Sequence, residues 1–322
     1  MVFREVTDQP IALMQLASVC HNWRNIVLGA SELWHHIKID FKTRENQLRK
    51  QLKLSGDTLL LLDLKWMAPV VLWRLVLEWN SSRPIRERTS SLNATFRPRE
   101  DVEKNFSVWG SSLAGNDWPQ LTTLVLISQY AMVRIHLRAP KLETIKLHNT
   151  YLSDWNHVGF GSVLRDAEWS GPGEEAVAFL RTVACSPNLR RLTLFELDAA
   201  SLALPRTPAV APFWPKLTDL TVKWLHADLS DVFAILSNAP QLNTLKFEFG
   251  ILVQSARSIS SKSRFSPDLR RLSIKLDAQW VGRSEHIEHM LISALLHGVL
   301  ELDDAAALKI QWWPKVNGQP CS

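Results

Sequence analysis

Cysteine is scarce in this 322-residue chain. The three are Cys20, Cys185 and Cys321, an odd number, far apart, with no C-x-x-C pair. That excludes a disulfide framework, argues against a zinc site and points to a reducing compartment. Glycine is sparse too, at 12 residues, which excludes collagen-like and Gly-rich linker segments. Long apolar runs are missing. The longest, MAPVVLWRLVLEW (67–79), has 13 residues and is broken by Arg74, too short and too charged to span a bilayer. The opening MVFREVTDQP holds acids and a Pro where a secretory signal would carry an apolar stretch. An intracellular chain, cytoplasmic or nuclear, with no membrane partner is expected. Charge of one sign is not in large excess: Lys and Arg outnumber Asp and Glu by 37 to 32, a net +5, which argues against nucleic acid as a partner.

Catalytic signatures are missing as well. No G-x-S-x-G, H-E-x-x-H or G-x-G-x-x-G occurs, and VGFGSVL lacks the spacing and the Lys of a phosphate loop. His286 and His289 fall three residues apart beside Glu285 and Glu288 on a helical pattern, which reads as a solvated face without a third ligand. Cys20 sits on an apolar stretch, unlike a reactive thiolate. No enzyme, cofactor or metal is expected.

What is present is a large apolar complement, 46% of residues, enough for one long domain or two ordinary ones, and 14 Trp against two Tyr. It is organised as a repeat. The pattern small-or-Trp, Pro, x, Leu, x, x, Leu, x, apolar occurs six times: WPQLTTLVL (118–126), APKLETIKL (139–147), SPNLRRLTL (186–194), WPKLTDLTV (214–222), APQLNTLKF (239–247) and SPDLRRLSI (266–274). The prolines are separated by 21, 47, 28, 25 and 27 residues, and a degenerate copy, Leu164 to Trp169, lies inside the gap of 47. In L-x-x-L-x-L the last residues alternate, so two apolar side chains share one face of a short strand. One such strand cannot bury its apolar face, whereas stacked copies can.

Helical spacing lies between the strands. DLSDVFAILSNAP, SEHIEHMLISALLHG and EEAVAFLRTVACSP carry apolar residues at i, i+3, i+4 intervals. LLLLDLKW (59–66) and SSLNATF (90–96) alternate like strands, MAPVVLWRLVLEW between them reads as a buried helix, and AALKIQW (306–312) as a further strand. The basic run FKTRENQLRKQLK (41–53) has five cations against Glu45, with Leu48 and Leu52 one turn apart, and reads as a solvated linking helix, the alternative being a nucleic-acid or acidic-lipid patch.

The repeat resembles the irregular leucine-rich repeats of F-box proteins. It departs from them where an Asn or Cys follows the strand: that place holds Gln129, Thr150, Leu197, Leu225, Gly250 or Asp277. The side-chain ladder of a regular repeat is therefore expected to be missing, with uneven curvature. The N-terminal SVCHNWRNIVLGASELWHHIKI (18–39) adds to the likeness. Pro10 can open a helix with Leu13, Leu16 and Ala17 on its apolar side, and a second helical face carries Val19, Trp23, Ile26 and Val27 up to Gly29. The order V-C-x-x-W-R-x-I, a gap, then L-W resembles the later two-thirds of an F-box, with a first helix incomplete before Pro10. The expected organisation is an α/β leucine-rich-repeat solenoid preceded by a short helical F-box-like segment: 1–40 F-box-like, 41–112 a connecting helix and atypical first repeats, 113–322 the irregular solenoid.

The resemblance implies a substrate-recognition subunit of a Skp-cullin-F-box ubiquitin ligase. Its adaptor-binding residues would be Leu16, Val19, Cys20, Trp23, Ile26, Leu33 and Trp34, the two Trp also packing the helices onto the first strand. Its partners would be a Skp-family adaptor, the cullin ligase and an unidentified protein substrate. The residues between the buried Leu positions would form a concave partner face, of which we single out Lys146, His148, Arg191, Phe195, Lys223, Lys246, Arg271 and Lys275. The basic excess in its C-terminal half favours an acidic partner segment. The alternatives are a standalone leucine-rich-repeat scaffold, or a degenerate F-box protein that no longer binds the adaptor.

Overall fold

A computed structural model describes residues 10–65, 72, 75–76, 79, 84–96, 116–128, 133–135, 137–152, 162–171, 178–180, 182–183, 186–198, 214–227, 239–252, 271–276, 315–316 and 319–320. They belong to two compact units, Met1–Gly161 and Ser162–Ser322.

The first unit opens with two short helices, α1 (Pro10–Val19) and α2 (His21–Gly29), then a 3-10 turn (Ser31–Trp34) and the strand β1 (His36–Ile39). Sequence spacing suggested that Val19 opens the second helix. Instead it closes α1, because Cys20 is extended (φ −158°, ψ 170°) and breaks the run. The break lets the chain fold back so that Leu13 and Ala17 of α1 meet Val27 of α2 and Trp34 in one buried cluster. A single straight helix would splay these residues over several turns.

Beyond β1 comes α3 (Glu45–Leu54), which buries Leu48 and Leu52 and turns its basic residues outward, as expected of a linking helix. The strands β2 (Leu60–Leu64) and β3 (Thr89–Phe96) follow, then β4 (Asn116–Asp117), β5 (Thr123–Ser128), β6 (Val133–Ile135), β7 (Leu137–Arg138), β8 (Thr144–His148) and β9 (Thr150–Leu152). β1, β2, β3, β5 and β8 pair side by side, all parallel. The pairs β4–β7 and β6–β9 are short parallel extensions. The segment 67–79 is described at Leu72, Leu75, Val76 and Trp79, where Leu72 and Val76, one turn apart, are buried.

The second unit repeats the arrangement. β10 (Asp166–Ser170), β11 (Arg191–Asp198), β12 (Asp219–Ala227), β13 (Thr244–Leu252) and β14 (Arg271–Leu276) form a parallel run in chain order. β10 is the degenerate copy, which therefore makes a strand without the Pro signal. Helical backbone appears at 178–180 and 182–183, burying Phe179, Leu180 and Val183. β15 (Lys315–Val316) pairs antiparallel with β16 (Gln319–Pro320). The helical patterns at 228–238 and 284–298 and the strand pattern at 306–312 lie outside the described residues.

The repeated Pro now has a physical role. In five copies the residue before it accepts a hydrogen bond from the first Leu: Leu121 N–H to Trp118 O (3.2 Å), Leu142 to Ala139 (3.1 Å), Leu189 to Ser186 (3.2 Å), Leu217 to Trp214 (3.3 Å) and Leu242 to Ala239 (3.2 Å). Pro thus holds the second place of a four-residue turn, where its fixed φ is already correct. Among the described residues Asn149 is the one non-glycine with positive φ, so the third places, Gln120 to Gln241, belong to type I turns. The next carbonyl stitches neighbouring repeats. Thr122 O accepts from the N–H groups of Glu143 (2.8 Å) and Thr144 (3.0 Å), Arg190 O from Thr218 (2.9 Å) and Asp219 (3.0 Å), and Thr218 O from Asn243 (2.8 Å) and Thr244 (2.9 Å).

The ladder position behaves unevenly, in keeping with its mixed residues. Thr150 is buried and its hydroxyl donates to Leu126 O (3.2 Å) and His148 O (2.8 Å), while Asn149 Nδ2 donates to Ser128 O (3.1 Å). At Leu197 no such group exists, and the β11–β12 register slips on both sides of it.

Candidate interaction surfaces

Alternation along each strand sorts the side chains. The positions predicted to be apolar are buried: Ile37, Leu62, Leu92, Leu124 and Ile145 in one row of the first unit, Ala167, Leu192, Leu220 and Leu245 in the second. The positions between them line up by register, and where their burial is described all but Ser170 are half-buried or exposed. In the first unit one row is Lys38, Asp63, Asn93, Val125 and Lys146. Its neighbour includes Thr95, Ile127 and His148. Sequence reasoning began this face at Thr123. The strands β1 to β3 extend it, and the alternation in LLLLDLKW and SSLNATF was the signal, although these strands lack the Pro turn.

In the second unit the rows are Asp166–Arg191–Asp219–Thr244–Arg271, Glu168–Thr193–Thr221–Lys246–Ser273 and Ser170–Phe195–Lys223–Glu248–Lys275. Arg191 Nε and Nη2 donate to Asp166 Oδ1 (2.5 Å) and Oδ2 (2.6 Å), a bidentate pair that raises the guanidinium's affinity for its proton. Lys223 and Lys275 both stand in register beside Glu248. The basic excess that favoured an acidic partner is therefore largely interleaved with acids. Among the described residues, Lys246, exposed between Thr221 and Ser273, and Arg271, beside Thr244, are the cations of this face without an acid in the flanking registers. Lys146 and His148 are half-buried beside Val125 and Ile127, and Phe195 is half-buried beside Lys223.

At the N-terminal helices the seven residues separate into three groups. Val19 and Ile26 are exposed, at 68% and 51%, and Cys20 is exposed with a free thiol. Leu16, Trp23 and Leu33 are half-buried, Leu16 and Leu33 against the cluster of Leu13, Ala17, Val27 and Trp34. Trp34 is buried at 2% exposure, which corrects its place among surface residues. Its Nε1 donates to Val27 O (2.7 Å), one of the carbonyls that the end of α2 leaves without a helical partner. Arg24 does the same for α1, with Nε donating to Ala17 O (3.1 Å). Arg24, Leu33 and Trp34 thus fasten the helix pair, and Val19, Cys20 and Ile26 stay exposed.

Arg88, which the sequence did not single out, is buried. Its Nη1 donates to Ser55 Oγ (3.3 Å), Gly56 O and Thr58 O (3.4 Å), closing the loop between α3 and β2. Burial lowers its pKa, which Asp57 partly offsets.

No protein-family model matches the chain, and no curated protein matches it. Among the described residues no group of His, Cys, Asp or Glu could hold a metal, and no helix is long and apolar enough to cross a membrane.

Proposed function

We propose that the chain is the substrate-recognition subunit of a Skp-cullin-F-box type ubiquitin ligase, with the helix pair as its adaptor-docking element and the repeats as a leucine-rich-repeat solenoid that holds a target protein. The observation that carries this reading is the exposure of Val19 and Ile26 on a helix pair whose Leu13, Ala17 and Val27 are buried together. Exposed side chains of this size are few, five among the described residues, and two of them are here. Apolar side chains kept in water next to a closed core mark a contact surface. The polar sheet faces support the second half, since repeated strands give an extended surface for a protein partner. The chain would do no chemistry. It would hold a substrate lysine near a ligase-bound conjugating enzyme and so raise the effective concentration of the reactants.

Co-purification of the full 1–322 chain with a Skp-family adaptor and a cullin tests this. Recovery of both in one complex supports the ligase reading. A folded chain that recovers neither replaces it with the standalone scaffold.

A further inference from the structure

The chain's excess charge is concentrated in one place. Residues 41–53 hold five cations against one carboxylate, a net +4 out of +5 for all 322 residues. Lys42, Arg44, Arg49, Lys50 and Lys53 are all exposed, and among the described residues Arg49 alone of them is ion-paired, to Glu45 at 2.7 Å. The turn before α3 is fixed. Asp40 Oδ1 accepts from Lys42 N–H (2.8 Å) and from Thr43 Oγ1 (3.1 Å), and Thr43 Oγ1 accepts from Asp40 N–H (2.9 Å). That turn presents Phe41 at 57% exposure, with Lys42 Nζ 5.3 Å from its ring centroid.

We infer that this edge, Phe41 with the outward face of α3, binds single-stranded nucleic acid, independently of any role in a ligase. Lys42 and Arg44 before the helix, with Arg49, Lys50 and Lys53 on its second half, spread cations over the turn and a ten-residue helix about 15 Å long, which suits a linear polyanion. A flat exposed ring at one end offers a base a stacking surface. An acidic bilayer fits less well. Helices that lie on membranes bind through a free apolar face, and α3 has already buried Leu48 and Leu52 against the protein. The whole-chain charge conceals this surface because the remaining 309 residues carry a net of only +1.

The test is a fluorescence titration of the full chain with labelled 20-nucleotide poly-dT and poly-U across a salt series. Vesicles of phosphatidylserine and phosphatidylcholine and soluble poly-glutamate serve as competitors. With four unpaired cations engaged, the log–log salt slope is expected near −3, a loss of about 50-fold between 50 and 200 mM salt. Lys50→Glu with Lys53→Glu should roughly halve the slope, and Phe41→Ala should weaken binding about tenfold without changing it. A flat salt response overturns the inference. So does a double variant that keeps the full slope, a Phe41→Ala variant that binds as the wild type does, or vesicles or poly-glutamate that displace the oligonucleotide at matched charge. Because these side chains are exposed, an unchanged urea midpoint confirms that each variant is folded.

Discussion

Trp34 and Arg24 show how a single side chain can serve a fold by finishing a helix. A helix of nine or ten residues leaves its last carbonyls without partners, and short helices feel this most. Trp34 fills the core and also supplies the N–H that Val27 O needs. Trp34→Phe keeps most of the volume but strands that carbonyl. We expect it to cost about 1–3 kcal/mol, and Trp34→Ala about 3–5 kcal/mol, both read from urea unfolding. Arg88 acts on the same principle over a longer span, tying Gly56 and Thr58 to the start of β3. Arg88→Ala removes a buried donor from these acceptors, and a loss of about 2–4 kcal/mol is expected from the same measurement. Asp166→Asn contrasts with these. The Asp166–Arg191 bridge has good geometry, but Arg191 is 66% exposed, so less than about 1 kcal/mol should be lost.

Individual elements were legible in the sequence where two periodicities agreed. L-x-x-L-x-L specifies both a strand and its buried face, and the registers of β5, β8 and β10 to β14 follow the repeat residue for residue. The Pro was visible as a marker, but its meaning depended on a hydrogen bond between residues three apart. Replacing Pro215 with Ala should therefore cost only about 0.4–1 kcal/mol, through the unfolded chain. Trp214→Ala, one residue earlier and buried, should cost about 3–5 kcal/mol. Urea midpoints of the two variants separate the turn from the core it carries. Two features were illegible for physical reasons. Val19 and Ile26 keep helical spacing through the sequence, so nothing signals the extended Cys20 between them. A Trp in a 3-10 turn has no periodic neighbours to indicate its face; the packing role expected of Trp34 matches its burial, while the adaptor contact that the resemblance implied does not. The strands β2 and β3 were legible as alternation, in keeping with the atypical first repeats expected over 41–112, although they lack the Pro turn.

At the scale of the whole molecule, polar and apolar residues are segregated rather than mixed. The parallel strands of each unit bury their Leu rows, and in two rows of the second unit acids and bases alternate in register, so these faces carry little net charge. The charge excess is gathered on α3 and the turn before it, and the exposed apolar pair sits on α1 and α2. A partner held on the sheets should bind with weak salt dependence, whereas binding at α3 should be steep in salt. In the function proposed above, Val19 and Ile26 are kept exposed in order to dock an adaptor. The most direct measurement is a calorimetric titration of the purified 1–322 chain with a Skp-family adaptor, beside a Val19→Asp, Ile26→Asp variant and a Trp34→Phe variant. The account predicts that the wild type binds and that the double variant keeps its stability within about 0.5 kcal/mol yet loses at least 100-fold in affinity. Trp34→Phe should lose stability while its folded fraction binds normally. A double variant that binds as the wild type does, or a folded wild type that does not bind at all, would contradict it.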